Sequence, residues 1–130
     1  MHRTRLYIDG TFTAPGDNRH FPAIDPATEE TFAEIAAGQA TDIDRAVRSA
    51  RRAFDSGAWP GMDGKQRAGV LRRIAEGIRT RLSEIALLEV RDNGKPLPEA
   101  EWDIGDAAFC FDYYAELAEQ QAIQPPETVD

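Results

Sequence analysis

For about forty residues the apolar positions come in short extended runs, and then their period changes to that of a helix. Leu6-Tyr7-Ile8 and Thr11-Phe12-Thr13 flank Asp9-Gly10. Asp-Gly supplies the positive φ pair of a two-residue turn, so the stretch predicts a β-hairpin. Ala14 to Asn18 is a loop, His20-Phe21-Pro22-Ala23-Ile24 is extended, and Asp25-Pro26-Ala27-Thr28 is a turn. Thr31-Phe32-Ala33-Glu34-Ile35 alternates with period two, as a strand does. No pairing partners are evident for these strands, so they are expected to make a poor independent sheet.

From Thr41 the spacing becomes helical. Thr41 and Asp44 resemble a capping pair. Ile43, Ala46, Val47, Ala50, Ala53 and Phe54 form one apolar stripe, with Arg45, Arg48 and Arg52 off it. Gly57 and Trp59-Pro60-Gly61 end that helix. Asp63 is placed to cap a second helix, whose buried face is expected to carry Val70, Leu71, Ile74 and Ile78. Ser83 is placed to cap a continuation with Ile85, Leu87 and Leu88, stopped by Asn93-Gly94 and Pro96. A last helix begins near Pro98 and presents Ile104, Ala107, Ala108, Phe111, Tyr114, Ala115 and Ala118. Gln124 to Thr128 is expected to be extended. The fold class is α+β: a hairpin and short strands, then amphipathic helices.

Composition keeps this reading within the globular range, with 42% hydrophobic and 29% charged residues. A single domain of this size buries roughly two thirds of its unfolded surface. No run approaches the ~18 apolar residues of a membrane helix, and MHRTRLYIDG has no apolar signal-peptide core. One cysteine rules out an intramolecular disulfide and fits a reducing, cytoplasmic setting. The formal charge is −8. The basic residues crowd between Arg45 and Arg81, and only acidic charges follow Lys95. That acidic tail repels phosphate backbones, which argues against nucleic acid as a partner. The arginine-rich centre is expected to be a solvated helix face.

Few residues invite chemistry. Cys110 lies between Phe109 and Phe111, with Asp106 and Asp112 nearby. An acidic, apolar setting raises a thiol pKa, so it is expected to be a buried structural cysteine. His2 and His20 stand alone, and His2 is expected to lie in a fraying terminus. Glu99, Glu101, Asp103 and Asp106 lack the turn of a calcium loop. The glycines form neither a dinucleotide fingerprint nor a phosphate loop. No catalytic or cofactor-binding residue is expected within the chain.

An ordered series of short motifs resembles the opening of the aldehyde dehydrogenase superfamily. It runs from Leu6-Tyr7-Ile8-Asp9-Gly10 and Ile24-Asp25-Pro26-Ala27-Thr28 through Ala46-Val47, Ala50 to Phe54 and Trp59-Pro60. It continues with Arg67, Leu71 to Ala75 and Asp92-Asn93-Gly94-Lys95-Pro96, and closes on Asp103-Ile104 and Tyr113-Tyr114-Ala115. Within the superfamily the chain looks most like NAD-dependent enzymes acting on small aldehydes, betaine aldehyde included.

The resemblance implies an incomplete α/β Rossmann-like parent fold. Residues 1–118 would be the N-terminal part of the cofactor-binding domain and 119–130 the start of the connection to an oligomerisation arm. It implies that NAD or NADP, a catalytic cysteine and a glutamate base belong to segments outside these residues, and that Cys110 does not match the catalytic thiol. Ala23 and Ile24, through backbone carbonyls, and Asp92, through its carboxylate, match a family site for a monovalent cation, Na+ or K+. The implied partners are the remainder of the chain and, in the complete enzyme, further copies of it. The family is much longer, so the chain is expected to be a piece of a larger polypeptide. The competing expectation is a non-enzymatic split or degenerate module that binds a partner through exposed apolar helix faces. The resemblance has one notable departure: Glu29 stands where the family usually has glycine, so that turn is expected to be remodelled.

Overall fold

The computed structural model describes residues 2–121, which form five short strands and five helices. They fall into two compact units. The first joins residues up to Pro60 with Arg91–Gly94, and the second holds Gly61–Val90 with the described residues from Lys95 on. The expected extended stretch from Gln124 to Thr128 lies outside the described residues.

In the first unit, β1 (His2–Arg3), β5 (Thr31–Ala36) and β4 (His20–Ile24) make a three-stranded sheet in that order. β1 runs parallel to β5, pairing His2 with Ala33, and β4 runs antiparallel to it. The strands thus do find partners, and His2 is held in a ladder rather than frayed. The β1–β5 pairing joins residues about thirty positions apart, which local periodicity does not register.

β2 (Leu6–Ile8) and β3 (Thr11–Thr13) form the expected hairpin, with Ile8 opposite Thr11. Asp9 at φ 56° and Gly10 at φ 76° give the two positive values of a type I′ turn. The turn after β4 is not remodelled: Glu29 takes φ 60°. Glu29 N donates to Asp25 O at 2.8 Å, Asp25 N to Glu30 O at 2.9 Å, and Ala27 N to the Asp25 carboxylate at 2.9 Å. These three bonds hold a conformation that costs a non-glycine residue about 1 kcal/mol.

α1 (Ala40–Ser56) is capped two residues earlier than Thr41 and Asp44 suggested. The cap is Gln39, whose N–H donates to the Asp42 carboxylate at 3.0 Å. Asp42 has two backbone donors in reach, whereas Asp44 faces Arg48. The stripe on α1 is real in spacing but is not buried: Ile43, Val47 and Phe54 are exposed. Only part of it meets β2, and among the described residues of this unit the sole large apolar side chain buried is Ile8.

After the single-turn α2 (Ala58–Gly61) the second unit begins. α3 (Gly64–Thr80) starts at Asp63 as expected. Gln66 N donates to the Asp63 carboxylate at 2.8 Å, and Asp63 N donates to the Gln66 side chain at 2.9 Å. α4 (Leu82–Asn93) begins ahead of Ser83, and α5 (Leu97–Gln121) is the longest element. Arg72 meets Glu119 and Arg79 meets Asp112, so α3 and α5 pack antiparallel.

Their core is alanine. Ala68 and Ala75 of α3, Ala86 of α4, and Ala100, Ala108 and Ala115 of α5 have no exposed surface. Ile74, Leu88 and Tyr114, expected inside, are exposed. Methyl groups let helix backbones approach closely, and the larger side chains then splay to the rim.

Candidate functional site

The residues matched to a cation site, Ala23, Ile24 and Asp92, all belong to the first unit. The register of β4 against β5 shifts between Ala23 and Ile24. Such an irregularity interrupts the ladder and redirects backbone groups at that position. The turn that follows, and β5 after it, meet the end of α4 through three contacts. Arg91 lies 3.7 Å from the Asp25 carboxylate, its guanidinium sits 4.8 Å over the Phe32 ring, and Pro26 packs on Gly94. Gly94 has φ 77°, and a Cβ there would stand 2.9 Å from Pro26 Cγ. Glycine is therefore required twice, for its dihedral and for its missing side chain.

Asp92 lies between these two anchors. Its carboxylate receives no hydrogen bond or ion pair from any described residue, whereas Asp25 is engaged by Ala27 N and Arg91. Among the described residues no three His, Cys, Asp or Glu side chains gather as a metal site would need. A site here would depend on carbonyl oxygens, which suit a hard monovalent ion.

The rest of the Asp92-to-Pro96 motif is structural. Lys95 Nζ lies 2.8 Å from Glu89 and also bonds Asp103, so it ties the end of α4 to the start of α5 within the second unit. Asp103 foremost, and Glu89 with it, push the ammonium pKa up, so the clamp stays charged across the physiological range.

Asp42 is the functional-looking side chain that the sequence reading missed. It is buried, with 2% exposure. Gly16 N donates to it at 2.9 Å and Gln39 N at 3.0 Å, with Arg45 at 3.4 Å. The Gly16 amide first, then the Gln39 amide and the Arg45 charge, hold its carboxyl below the ordinary carboxylate value. All of its partners are donors in the protein, so it is an anchor joining the loop before β4 to α1. The available signal was its place three residues after Gln39, the spacing of a capping box.

Cys110 is exposed, not buried, because α5 turns that face away from the alanine contact. The arginine-rich centre is a solvated, self-paired face in α1. Arg45 pairs with Asp42, Arg48 with Asp44, Arg51 with Asp55 and Arg52 with Asp9. His20 braces two segments: its Nδ1 lies 3.0 Å from Asn18 O and its Nε2 lies 3.2 Å from Thr4 O.

Comparison with known proteins gives this arrangement its context. The pattern of the aldehyde dehydrogenase family matches residues 12–129. Aminoaldehyde dehydrogenase 2 of Zea mays is 49% identical over 120 residues, which are 90% of this chain and 24% of the maize protein. Peroxisomal aminoaldehyde dehydrogenase 1 of Malus domestica is 49% identical over 117 residues, 88% of this chain and 23% of that one. Among solved structures, a betaine aldehyde dehydrogenase variant from Staphylococcus aureus, in complex with NAD+, superimposes with a TM-score of 0.87 at 34% identity. That match covers 90% of this chain and 24% of the solved one. The chain thus spans about a quarter of the length of the relatives it matches. Relatives also include chloroplastic and mitochondrial proteins. No helix among the described residues is long and apolar enough to cross a membrane.

Proposed function

Because the chain belongs to the aldehyde dehydrogenase family, we propose that it is the N-terminal scaffold of an NAD(P)-dependent enzyme that oxidises a small aldehyde to a carboxylate. The observation that carries this reading is the superposition on an NAD+-bound betaine aldehyde dehydrogenase over nine tenths of this chain and one quarter of the other. In this proposal residues 1–118 belong to the cofactor-binding domain, and 119–130 begin the connection to the oligomerisation arm. The reaction needs a low-pKa thiol, donors for the oxyanion and a carboxylate to activate water. Those groups are assigned to the remainder of the polypeptide, which is also the chain's first partner, with further copies of the enzyme as the second. Cytoplasmic residence belongs to the same proposal and rests on the single cysteine.

The exposed apolar faces support the scaffold role. Ile43, Val47 and Phe54 on α1, and Trp102, Phe109 and Tyr113 on α5, present large apolar side chains to solvent. Such faces mark surfaces that are covered in the working molecule. The family match favours the enzyme segment over a standalone partner-binding module. The test is aldehyde-dependent NAD(P)H formation by the complete polypeptide carrying this segment. Absence of turnover on aminoaldehydes, betaine aldehyde and simple aliphatic aldehydes would sink the reading.

Within the scaffold, the Ala23 and Ile24 carbonyls and the Asp92 carboxylate are proposed to hold Na+ or K+. The interrupted ladder at Ala23/Ile24 and the unengaged Asp92 support this. One carboxylate balances one positive charge, and carbonyl oxygens are ligands such ions accept. Sodium-23 NMR of the complete enzyme is expected to show a broadened bound component that Asp92→Ala removes. Identical spectra for the two proteins would end the cation assignment and leave the family reading intact.

A further inference from the structure

A cavity lies in the first unit, apart from the cation residues. It has a volume of about 240 Å³ and is lined by Arg3, Thr4, Arg5, Ala14, Asn18 and His20. Three observations distinguish it. First, Arg5 pairs with no carboxylate among the described residues, although every other arginine of this unit has one. In a chain with 23 acidic residues against 15 basic ones, a guanidinium left over beside a cavity stands out.

Second, the walls are held in place. His20 ties Thr4 O to Asn18 O across the site, and the Thr4 hydroxyl accepts from Ala36 N at 2.9 Å. Third, Asn18 sits at φ 58° on the rim. Backbone conformations of that kind gather at ligand clamps; the Asn18 backbone N–H donates to Pro15 O at 2.9 Å, and its side-chain amide has no protein partner among the described residues. The acidic groups nearest in sequence are spent, since Asp17 bonds Arg19 and Glu34 bonds Arg3 at 2.7 Å. The lining residues include no carboxylate.

We propose that this cavity binds a small phosphate-bearing anion, with the Arg5 guanidinium as the charged donor and the Asn18 side-chain amide as the neutral one. Guanidinium offers a planar fork that matches a tetrahedral oxyanion in two-point contact. The proposal does not rest on the aldehyde dehydrogenase reading, because no residue of that reaction takes part.

The probe is inorganic phosphate, titrated calorimetrically into the full protein at constant ionic strength. Saturable binding near 1 mM is expected, the scale of a single charged contact with modest support. Arg5→Gln should weaken it about tenfold or more, since a charge-assisted bond is lost. Arg5→Lys should keep part of the affinity as a point charge. Arg48→Gln, which alters a self-paired surface arginine, should leave it unchanged. Phosphate binding elsewhere in the protein would be untouched by Arg5→Gln. Equal affinity in wild type and Arg5→Gln therefore overturns the proposal, as does the absence of saturation. Acetate binding as tightly as phosphate would overturn the phosphate class. Crystals soaked in phosphate provide the independent readout: density against Arg5 supports the site, and density only elsewhere contradicts it.

Discussion

The two units of this chain solve the same problem by opposite means. The first, residues up to Pro60 with Arg91–Gly94, is organised by backbone geometry and a buried carboxylate. Every positive-φ residue in the described chain lies in it: Asp9, Gly10, Asn18, Glu29 and Gly94. Its most deeply buried side chain is Asp42. The second unit has none of these devices and is organised by alanines that draw α3 and α5 together. One region is fixed by hydrogen bonds to particular groups, the other by the absence of bulk. Substitutions should therefore fail differently in each: by bulk in the second, by dihedral or protonation in the first.

The largest effect is expected from added bulk in the alanine core. Ala75→Leu should destabilise the second unit by about 3 kcal/mol, the upper range for overpacking a close-packed contact. Urea unfolding followed by tryptophan fluorescence at Trp102 would register it. A change under about 0.5 kcal/mol would mean the helices are not in close contact there. Next comes Gly94→Ala in the first unit. It meets both a left-handed dihedral and Pro26, and it is expected to cost about 2 kcal/mol. Thermal unfolding of Gly94→Ala beside Gly77→Ala sharpens the contrast, since nothing lies within 4 Å of a Cβ at Gly77.

Asp42 gives the first unit a pH dependence that the alanine core lacks. Its folded pKa is depressed below the ordinary 3.8 by the Gly16 and Gln39 amides and Arg45. The stability it contributes is therefore present above that value and is lost as pH falls through the lowered one. Asp42→Asn should flatten the acid limb of the first unit's unfolding, read from the Gly16 and Gln39 amide resonances between pH 5 and about 2. An unchanged acid limb would show that the carboxylate is not the anchor. Glu29→Gly should have the smallest effect and the opposite sign. Relief of the strained φ is worth up to about 1 kcal/mol, partly offset by added backbone entropy in the unfolded chain. A clear loss of stability would show that Glu29 contributes more than its backbone.

The same contrast explains what could be read from sequence. Asp9-Gly10, the Asp63 cap, and the extents of β4 and β5 were legible because each is a local signal, carried by turn chemistry, capping or alternation. What escaped depended on distance. β1 needs β5, and Asp42 needs Gly16, residues 26 positions apart. The helix stripes were legible in phase but not in burial, because periodicity shows which residues share a face and not whether anything covers it. Ile43 and Phe54 kept their spacing and stayed in solvent, while small alanines took the interior. At the candidate cation site, resemblance supplied Ala23, Ile24 and Asp92. The ladder shift at Ala23/Ile24 and the Pro26–Gly94 contact are structural facts no spacing rule contains.

The central claim is that this segment is scaffold for an aldehyde oxidation whose chemical groups reside in the rest of the polypeptide. The direct measurement compares NADH formation at saturating aldehyde by the purified 130-residue chain and by the complete polypeptide containing it. The account predicts steady turnover by the complete polypeptide and none by the chain alone. Aldehyde-dependent NADH formation by the 130-residue chain itself would contradict it.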